Sequence, residues 1–256
     1  MPAAQAQPHL EHALNCFQSA LGIYRELLGD HVDTAARNRD VAGVLKQQGD
    51  FEKAEAHYRR ALAMYEQLLG TNDPQTADTC MDLGDLFRAK DDKGQALHYY
   101  QRALRQQERA DHANPVTLAL CLNRIGLFFK LEGAPDKSLS YFQRALQVQR
   151  NHLGEQHEKV ALGYNNLGDL MLQKQDLAQA MTLFKKALII REERLGEHHP
   201  HVAISRNNLG RVYELQGDED TAYDHYQAAY KKLKRAYGLN DTITQTVKKN
   251  RQRVDD

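Results

Sequence analysis

Three histidines within four residues, His198, His199 and His201, are the side chains in this sequence whose type and spacing most suggest metal chemistry. They would have to converge on one ion and recruit further ligands at fixed geometry. His157 lies at the same place 42 residues before His199, and Glu158 follows it. Alanine stands where an H-E-x-x-H motif requires its second histidine. We therefore expect these histidines to belong to a loop that precedes a helix, and no metal site.

No other group of residues predicts an enzyme. The sequence contains no glycine-rich phosphate loop, no nucleophile elbow and no zinc-type cysteine pair. Its three cysteines, Cys16, Cys80 and Cys121, are far apart. This pattern is typical of reduced thiols in a cytosolic protein. We expect a non-enzymatic, cytoplasmic protein that has no cofactor and no catalytic residues.

The amino-acid composition bears on which classes of partner the protein can bind. The 256 residues include 34 basic and 34 acidic side chains, so the formal net charge is zero. This balance argues against nucleic acid or an anionic membrane as a bulk partner. No secretory signal is visible at the N-terminus, and no apolar run approaches the ~20 residues needed to span a bilayer. Six prolines, no tryptophan and abundant helix-forming residues favour an all-α chain.

Residue types repeat every 42 positions along most of the chain. Gly84, Gly126, Gly168 and Gly210 follow this period, and Ala42 has the equivalent position one step earlier. Each is followed at fixed distances by a small residue, an aromatic residue and an alanine. These triplets are Ala54, Tyr58 and Ala61; Ala96, Tyr100 and Ala103; Ser138, Phe142 and Ala145; Ala180, Phe184 and Ala187; and Ala222, Tyr226 and Ala229. The period predicts five copies of one structural unit.

Helical geometry explains the residue types. A small, an aromatic and a small residue at i, i+4 and i+7 lie on one face of a helix, where a neighbouring helix can approach closely. The periodic glycine lies on the preceding helix and permits the same close approach. Between the two helices, Gly49, Gly133 and Gly217 provide a turn residue that tolerates positive φ, while Asp91 and Gln175 have this place in the other copies. Each copy is thus a helix pair that buries its apolar face by stacking on its neighbours.

The order L-G-x-x-Y, Ala, aromatic, Ala resembles the tetratricopeptide repeat (TPR). The fifth copy shows the pattern best, in Leu209, Gly210, Tyr213, Ala222, Tyr226 and Ala229. Its 42-residue length and its "HP-x-VA…NNLG" segment are similar to the kinesin-light-chain type of TPR. The resemblance implies an all-α, right-handed TPR superhelix (an α-solenoid) of antiparallel helix pairs. Leu45 and Met171 replace the aromatic residue expected after the glycine in two copies, and no heptad coiled coil precedes the repeats.

The period also predicts the organisation of the chain. We expect a disordered N-terminus over 1–9, a TPR array over 10–237 and a C-terminal capping helix over 240–254. The array would comprise a leading helix over 10–28 and five 42-residue repeats from about 35. The leading helix either caps the array or continues a longer one. The final helix is either a polar cap, which solenoids need for solubility, or a basic docking helix.

In the TPR family the first helix of each pair lines the concave groove, and its register assigns the residues that face a ligand. The resemblance therefore implies a peptide-binding groove formed by Asn123, Arg124, Lys130, Asn165, Asn166, Asp169, Asn207, Asn208 and Arg211. Earlier copies place Arg39, Asp40, Lys46, Asp78, Asp82, Asp85 and Arg88 at the matching positions.

Asn123, Asn165 and Asn207 recur at 42-residue intervals and are expected to form a ladder along the groove. An asparagine amide both donates and accepts hydrogen bonds, so a ladder of them can pair with the backbone of an extended peptide. Charged side chains and the apolar Leu120, Leu162 and Ile204 would then give specificity. The alternative is that these asparagines satisfy hydrogen bonds between helices.

The sequence therefore predicts a monomeric scaffold that binds an extended linear motif of a partner protein in its groove. Kinesin-light-chain-type grooves bind short linear motifs of adaptor proteins, so the resemblance implies the same use. Two alternatives remain. The array could be a self-association module, or it could be the TPR segment of a larger signalling protein or enzyme.

Overall fold

The computed structural model describes residues 3–110 and 113–255, with side chains from residue 8 onward. This part of the chain forms twelve α-helices and no β-strand. The helices are α1 (Ala3–Leu28), α2 (Val32–Gln48), α3 (Phe51–Leu69), α4 (Pro74–Ala89), α5 (Lys93–Arg109), α6 (Pro115–Leu131), α7 (Pro135–Leu153), α8 (Glu158–Gln173), α9 (Leu177–Leu195), α10 (Pro200–Leu215), α11 (Glu219–Tyr237) and α12 (Thr242–Arg253). The prediction of an all-α repeat fold is confirmed.

The helices form two compact units, an N-terminal unit up to Phe128 and a C-terminal unit from Phe129. In the N-terminal unit α2 packs on α3 and α4 on α5, while α1 packs on α2. In the C-terminal unit α8 packs on α9 and α10 on α11, while α12 packs on α11. We call α2, α4, α6, α8 and α10 first helices, and α3, α5, α7, α9 and α11 second helices.

The N-termini of the helices are fixed by side-chain caps. Asp50, Asp92, Asp176 and Asp218 cap α3, α5, α9 and α11, and each carboxylate accepts a hydrogen bond from a backbone N–H in the first turn. A capping side chain satisfies a donor that the helix leaves without a partner, which contributes about 1 kcal/mol. The aspartate before each of these second helices therefore sets the residue at which the helix begins.

The periodic glycines lie directly against the aromatic rings of the second helices. A β-carbon placed on Gly168 would be 2.7 Å from Cε1 of Phe184, and one placed on Gly210 would be 2.8 Å from the ring of Tyr226. Both rings are fully buried. The Tyr226 hydroxyl donates a hydrogen bond of 2.6 Å to Glu214, so its polar end is satisfied. These contacts confirm that the periodic glycine permits close helix packing.

The turns within the helix pairs adopt the conformation that the sequence predicts. Gly49 and Gly217 have φ values of 84° and 80°, and Gly133 has 68°. Asp91 and Gln175 have φ of 60° and are the non-glycine residues of the described part with positive φ. A left-handed backbone costs an L-residue about 1–2 kcal/mol that glycine avoids. These two copies therefore carry local strain.

The two ends of the chain differ slightly from expectation. α1 begins at Ala3, so residues 3–9, which we expected to be disordered, are helical; residues 1 and 2 lie outside the described part. Their alanines and glutamines favour the helix, whereas Pro8 lies inside it and removes one backbone hydrogen bond. α12 spans Thr242–Arg253, within the segment expected to form a final helix. No helix among the described residues is long and apolar enough to cross a membrane.

Candidate peptide-binding surface

Two asparagines join neighbouring first helices in the C-terminal unit. Asn208 on α10 donates a hydrogen bond of 2.8 Å from Nδ2 to Oδ1 of Asn165 on α8. Both side chains are buried, with exposed fractions of 6% and 9%. A buried amide without a partner would cost about 1–3 kcal/mol, so this bond stabilises the stacking of the two helices. Asn165 thus forms a hydrogen bond between two helices, which is the alternative to ligand binding that its sequence position allowed.

Asn207 continues this connection to α12. Its Nδ2 lies 3.4 Å from Oδ1 of Asn208, and its Oδ1 accepts a hydrogen bond of 3.0 Å from Nδ2 of Asn250. An amide has two N–H donors and two lone pairs. Asn207 is half-buried, and these two bonds use one donor and one lone pair. One further donor and one further lone pair of this amide remain.

Asp169 links two cations on the same face. Its carboxylate lies 3.4 Å from Nζ of Lys130 and 3.2 Å from Nη1 of Arg211. The three residues belong to α6, α8 and α10. All three are only partly buried, so solvent screens these pairs and each contributes at most about 1 kcal/mol. The cluster carries one net positive charge.

The remaining predicted residues of the C-terminal unit lie on α8 and α10. Asn166 on α8 is half-buried, and Leu162 on the same helix is 45% exposed. Ile204 on α10 is half-buried. Helical spacing of three and four residues predicts that Leu162, Asn166 and Asp169 lie on one face of α8.

In the N-terminal unit the predicted charges pair across successive first helices. Arg39 donates two hydrogen bonds, of 3.0 and 2.7 Å, to Oδ2 of Asp82. Arg124 lies 2.9 Å from Oδ2 of Asp85. The Tyr100 hydroxyl donates a hydrogen bond of 2.5 Å to the other carboxylate oxygen of Asp85. Burial and this carboxylate both raise the pKa of Tyr100, so it remains a donor. Asn123 is half-buried in this unit.

Each unit has a cavity on its first-helix face. In the C-terminal unit a cavity of about 520 Å³ is lined by Lys130, Leu131, Asp169, Leu172, Gln173, Arg211 and Leu215. In the N-terminal unit one of about 390 Å³ is lined by Phe17, Ala36, Arg39, Asp40, Gly43, Val44, Gln47, Tyr58 and Asp82. The first combines leucines with charged groups that belong to the predicted groove.

The sequence did not predict the leucines of the 520 Å³ cavity. Leu131 and Leu215 are 60% and 61% exposed, although leucine is usually buried. Both follow a periodic glycine by five residues. The recurrence of leucine at this repeat position, just after the predicted polar residues, is the sequence feature that could have predicted the apolar site.

Comparison with known proteins agrees with this architecture. The tetratricopeptide repeat model matches residues 10–67, 33–109, 117–193 and 160–235, which together cover most of the sequence. The chain belongs to the tetratricopeptide repeat family. No curated protein matches this TPR protein by sequence.

Solved structures of similar fold support the kinesin-light-chain type of repeat. BtubC (BKLC) from P. vanneervenii superposes with a TM-score of 0.76 at 25% identity, over 91% of this chain and 94% of that one. A candidate kinesin light chain from Podosopora anserina with nearly identical TPR-like repeats gives 0.63 at 15% identity, over 81% and 98%. A point variant of that Podosopora anserina protein gives 0.66 at 14% identity, over 80% and 97%. The latter two show the fold alone.

Three histidines of this TPR protein cap first helices. Nδ1 of His199 accepts the backbone N–H of His201, and Nδ1 of His157 accepts that of Lys159. His31 makes the equivalent bond at α2. Asp73 and Asn114 cap α4 and α6 in the same way. Within the described residues, no group of three or more histidine, cysteine or acidic side chains could hold a metal ion.

Proposed function

We propose that this TPR protein binds an extended segment of a partner protein on the face of its first helices. TPR repeats are protein-interaction modules, and the proposal adds the surface and the kind of ligand. The observation that carries it is the cavity of about 520 Å³ in the C-terminal unit, where exposed leucines lie beside a cluster of paired charges. An apolar cavity with a few convergent polar groups is the usual form of a binding site.

The ligand would use two kinds of contact. An apolar side chain of the peptide would enter between Leu131 and Leu215, whose exposed surface would then be buried. Asn166 and Asn207 would pair with the peptide backbone, because an amide matches both of its hydrogen-bonding groups. Because the cluster of Lys130, Asp169 and Arg211 carries one net positive charge, Lys130 and Arg211 would favour a negatively charged side chain in the ligand. The binding role requires no catalytic residue.

We also propose that the protein resides in the cytoplasm. Cys80 and Cys121 are free and fully buried. Burial raises the pKa of the Cys80 thiol to about 12, which keeps it protonated and unreactive at neutral pH. Fractionation of cells that express the tagged chain would test this location, and recovery with membranes would contradict it.

Peptides selected from a displayed random library provide ligands for testing the surface. Their dissociation constants are then measured by calorimetry for the wild type and for Leu215→Arg. Because burying a leucine contributes about 1.5–3 kcal/mol, we expect the variant to bind about tenfold more weakly or worse. Leu215 is exposed, so the fold should remain intact.

Ile189→Arg is the matched control, since Ile189 is 52% exposed on α9, a second helix. This variant should bind the selected peptides as the wild type does. Equal affinity of wild type and Leu215→Arg would contradict the proposed surface. A library that yields no binding peptide would contradict the proposed function.

A further inference from the structure

One side of α6 exposes apolar side chains in the N-terminal unit. Val116, Leu120 and Leu127 have exposed fractions of 37%, 40% and 38%. They are separated by four and seven residues, so they lie in one line along the helix, about 16 Å from end to end. α6 belongs to the third of the five copies. This line is therefore open to solvent inside the repeat array and not at one of its ends.

Packing between the repeats does not explain these side chains. At the position of Leu127 the neighbouring copies have Asp85 and Asp169, so the fold does not require leucine there. The buried side of α6 is formed by other residues, among them Leu122 and Ile125. A line of apolar residues that remains exposed and that the fold does not require is typical of a binding surface.

The neighbouring first helix α4 places acidic residues beside this line. Asp78, Asp82 and Asp85 are separated by four and three residues, so they lie on one side of α4. Oδ2 of Asp85 is 2.9 Å from Nη1 of Arg124 on α6. Arg124 follows Leu120 by four residues, which places both on the same side of α6. This ion pair therefore joins the acidic side of α4 to the apolar side of α6.

The three aspartates outnumber the arginines that pair with them. Arg39 pairs with Asp82 at 2.7 Å, and Arg124 pairs with Asp85. Asp78 is half-buried and forms no ion pair with any residue that the structure describes. Burial raises the pKa of the Asp78 carboxyl, although Arg39 opposes this. The cluster therefore carries one net negative charge, and a ligand cation would stabilise the ionised form of Asp78.

We infer that this face of the N-terminal unit binds an amphipathic α-helix of a partner protein, whose apolar side is flanked by lysine or arginine. Apolar side chains of the partner at i, i+4 and i+7 would pack along Val116, Leu120 and Leu127, as they do between facing helices. A basic side chain at the flank would pair with Asp78. A helix suits this line because its own apolar side runs along its axis.

This ligand differs in charge from the ligand of the proposed function. The cavity near Leu215 lies in the C-terminal unit, beside the cluster centred on Asp169, which is net positive. The face formed by α4 and α6 is net negative. A basic helix should therefore bind the N-terminal face and avoid the C-terminal cavity.

A displayed library of helical peptides of about 18 residues tests the kind of ligand. Leucine is fixed at i, i+4, i+7 and i+11, and the other positions vary among alanine, glutamine, lysine and glutamate. Selection on the full chain should enrich lysine over glutamate. A mixture of a selected peptide and the protein should show more helical circular dichroism than the sum of the two. The absence of binding peptides, no excess of lysine, or no gain in helicity overturns the inference.

Substitutions on α6 test the location. Leu120→Ser with Leu127→Ser should weaken binding of a selected peptide about tenfold or more, because it removes most of the apolar line. Leu68→Ser with Leu69→Ser is the matched control: these leucines are 40% and 37% exposed and lie at the end of α3, a second helix. The control should bind as the wild type does. Unchanged affinity in the α6 double variant overturns the site.

Charge and unit are tested by two single substitutions. Asp78→Asn should weaken the same peptide severalfold at low salt, and added salt should reduce the difference. Leu215→Arg should leave its binding unchanged, which separates this site from that of the proposed function. Loss of binding in Leu215→Arg, or no effect of Asp78→Asn at low salt, overturns the inference. So does a wild-type dimer in sedimentation equilibrium that the α6 changes dissociate, since a second copy would then cover this face.

Discussion

Gly84 and Tyr100 approach so closely that no side chain fits between them: a β-carbon on Gly84 would be 2.4 Å from Cε1 of the tyrosine ring. The ring is buried, and its hydroxyl is held by Asp85. It therefore cannot move aside without losing that hydrogen bond. Gly84→Ala should lower the free energy of unfolding by about 1–3 kcal/mol through overpacking. Urea unfolding of the variant measures this.

The neighbouring position in the first copy provides the control. A β-carbon on Gly43 would lie 3.7 Å from the Tyr58 hydroxyl, an ordinary contact. Gly43→Ala should therefore stabilise α2 by up to about 1 kcal/mol, because alanine favours a helix. If Gly84→Ala has the urea midpoint of the wild type, the Tyr100 ring can move aside and the prediction of overpacking is wrong.

Gln175 has a left-handed backbone at the turn position where three other copies have glycine. Gln175→Gly should raise the free energy of unfolding by about 1 kcal/mol, since it removes the contact of the β-carbon with its own backbone. Thermal or urea unfolding would measure the gain. Asp91→Gly should gain less, because aspartate tolerates this conformation better than glutamine. A loss of stability in Gln175→Gly would contradict the assignment of strain.

Arg191 is buried with neutral partners. Its Nη1 donates hydrogen bonds to Oγ of Ser205, at 2.7 Å, and to the carbonyl of His201, at 3.2 Å. Burial lowers the pKa of Arg191. Ser205→Val alone removes one acceptor from a buried charge and should lower the free energy of unfolding by about 1.5–3 kcal/mol.

The next copy has Leu233 and Val247 at the same positions, both buried in one apolar cluster. Arg191→Leu with Ser205→Val would introduce this apolar pair. Replacing both polar partners by apolar groups of suitable shape is often neutral or stabilising. The double variant should therefore be about as stable as the wild type. Additive losses in a double-mutant cycle would show that the two residues do not act as a pair.

Glu214 should couple stability to pH. Hydrogen bonds from Arg253 and then Tyr226 lower the pKa of this carboxyl below its ordinary value of 4.5. A lowered folded-state pKa means that the unfolded chain binds the proton first as the pH falls. The stabilisation is therefore complete well above pH 4.5 and is lost as the pH falls through the lower folded-state value.

Urea unfolding at neutral pH and at pH about 4 measures this effect. Glu214→Gln should be less stable than the wild type at neutral pH, and the difference should narrow in acid. Glu193→Gln, on an exposed part of α9, is the control and should keep the wild-type response. A constant difference between wild type and Glu214→Gln at both pH values would rule out this role.

Much of the candidate surface could be assigned to first helices from the repeat register. Asp169 and Arg211 follow successive periodic glycines directly and meet on one face. The role of each asparagine could not be assigned. The 42-residue period aligns Asn165 with Asn207, but the hydrogen bond joins Asn165 to Asn208. The partner of Asn165 is thus displaced by one residue from the register, whereas Asp169 and Arg211 keep it.

The sequence by itself determined the repeat, the helix pairs, the faces that carry glycine and aromatic residues, and the turns at Gly49 and Gln175. These features depend on spacing within one helix or on the local backbone, so residue types and intervals are enough to specify them. Only the tertiary structure decided that Asn165 is buried, that Leu131 and Leu215 form one cavity and that Leu127 is open to solvent. These properties depend on which side chains approach from distant parts of the chain, and a periodic pattern does not contain those distances.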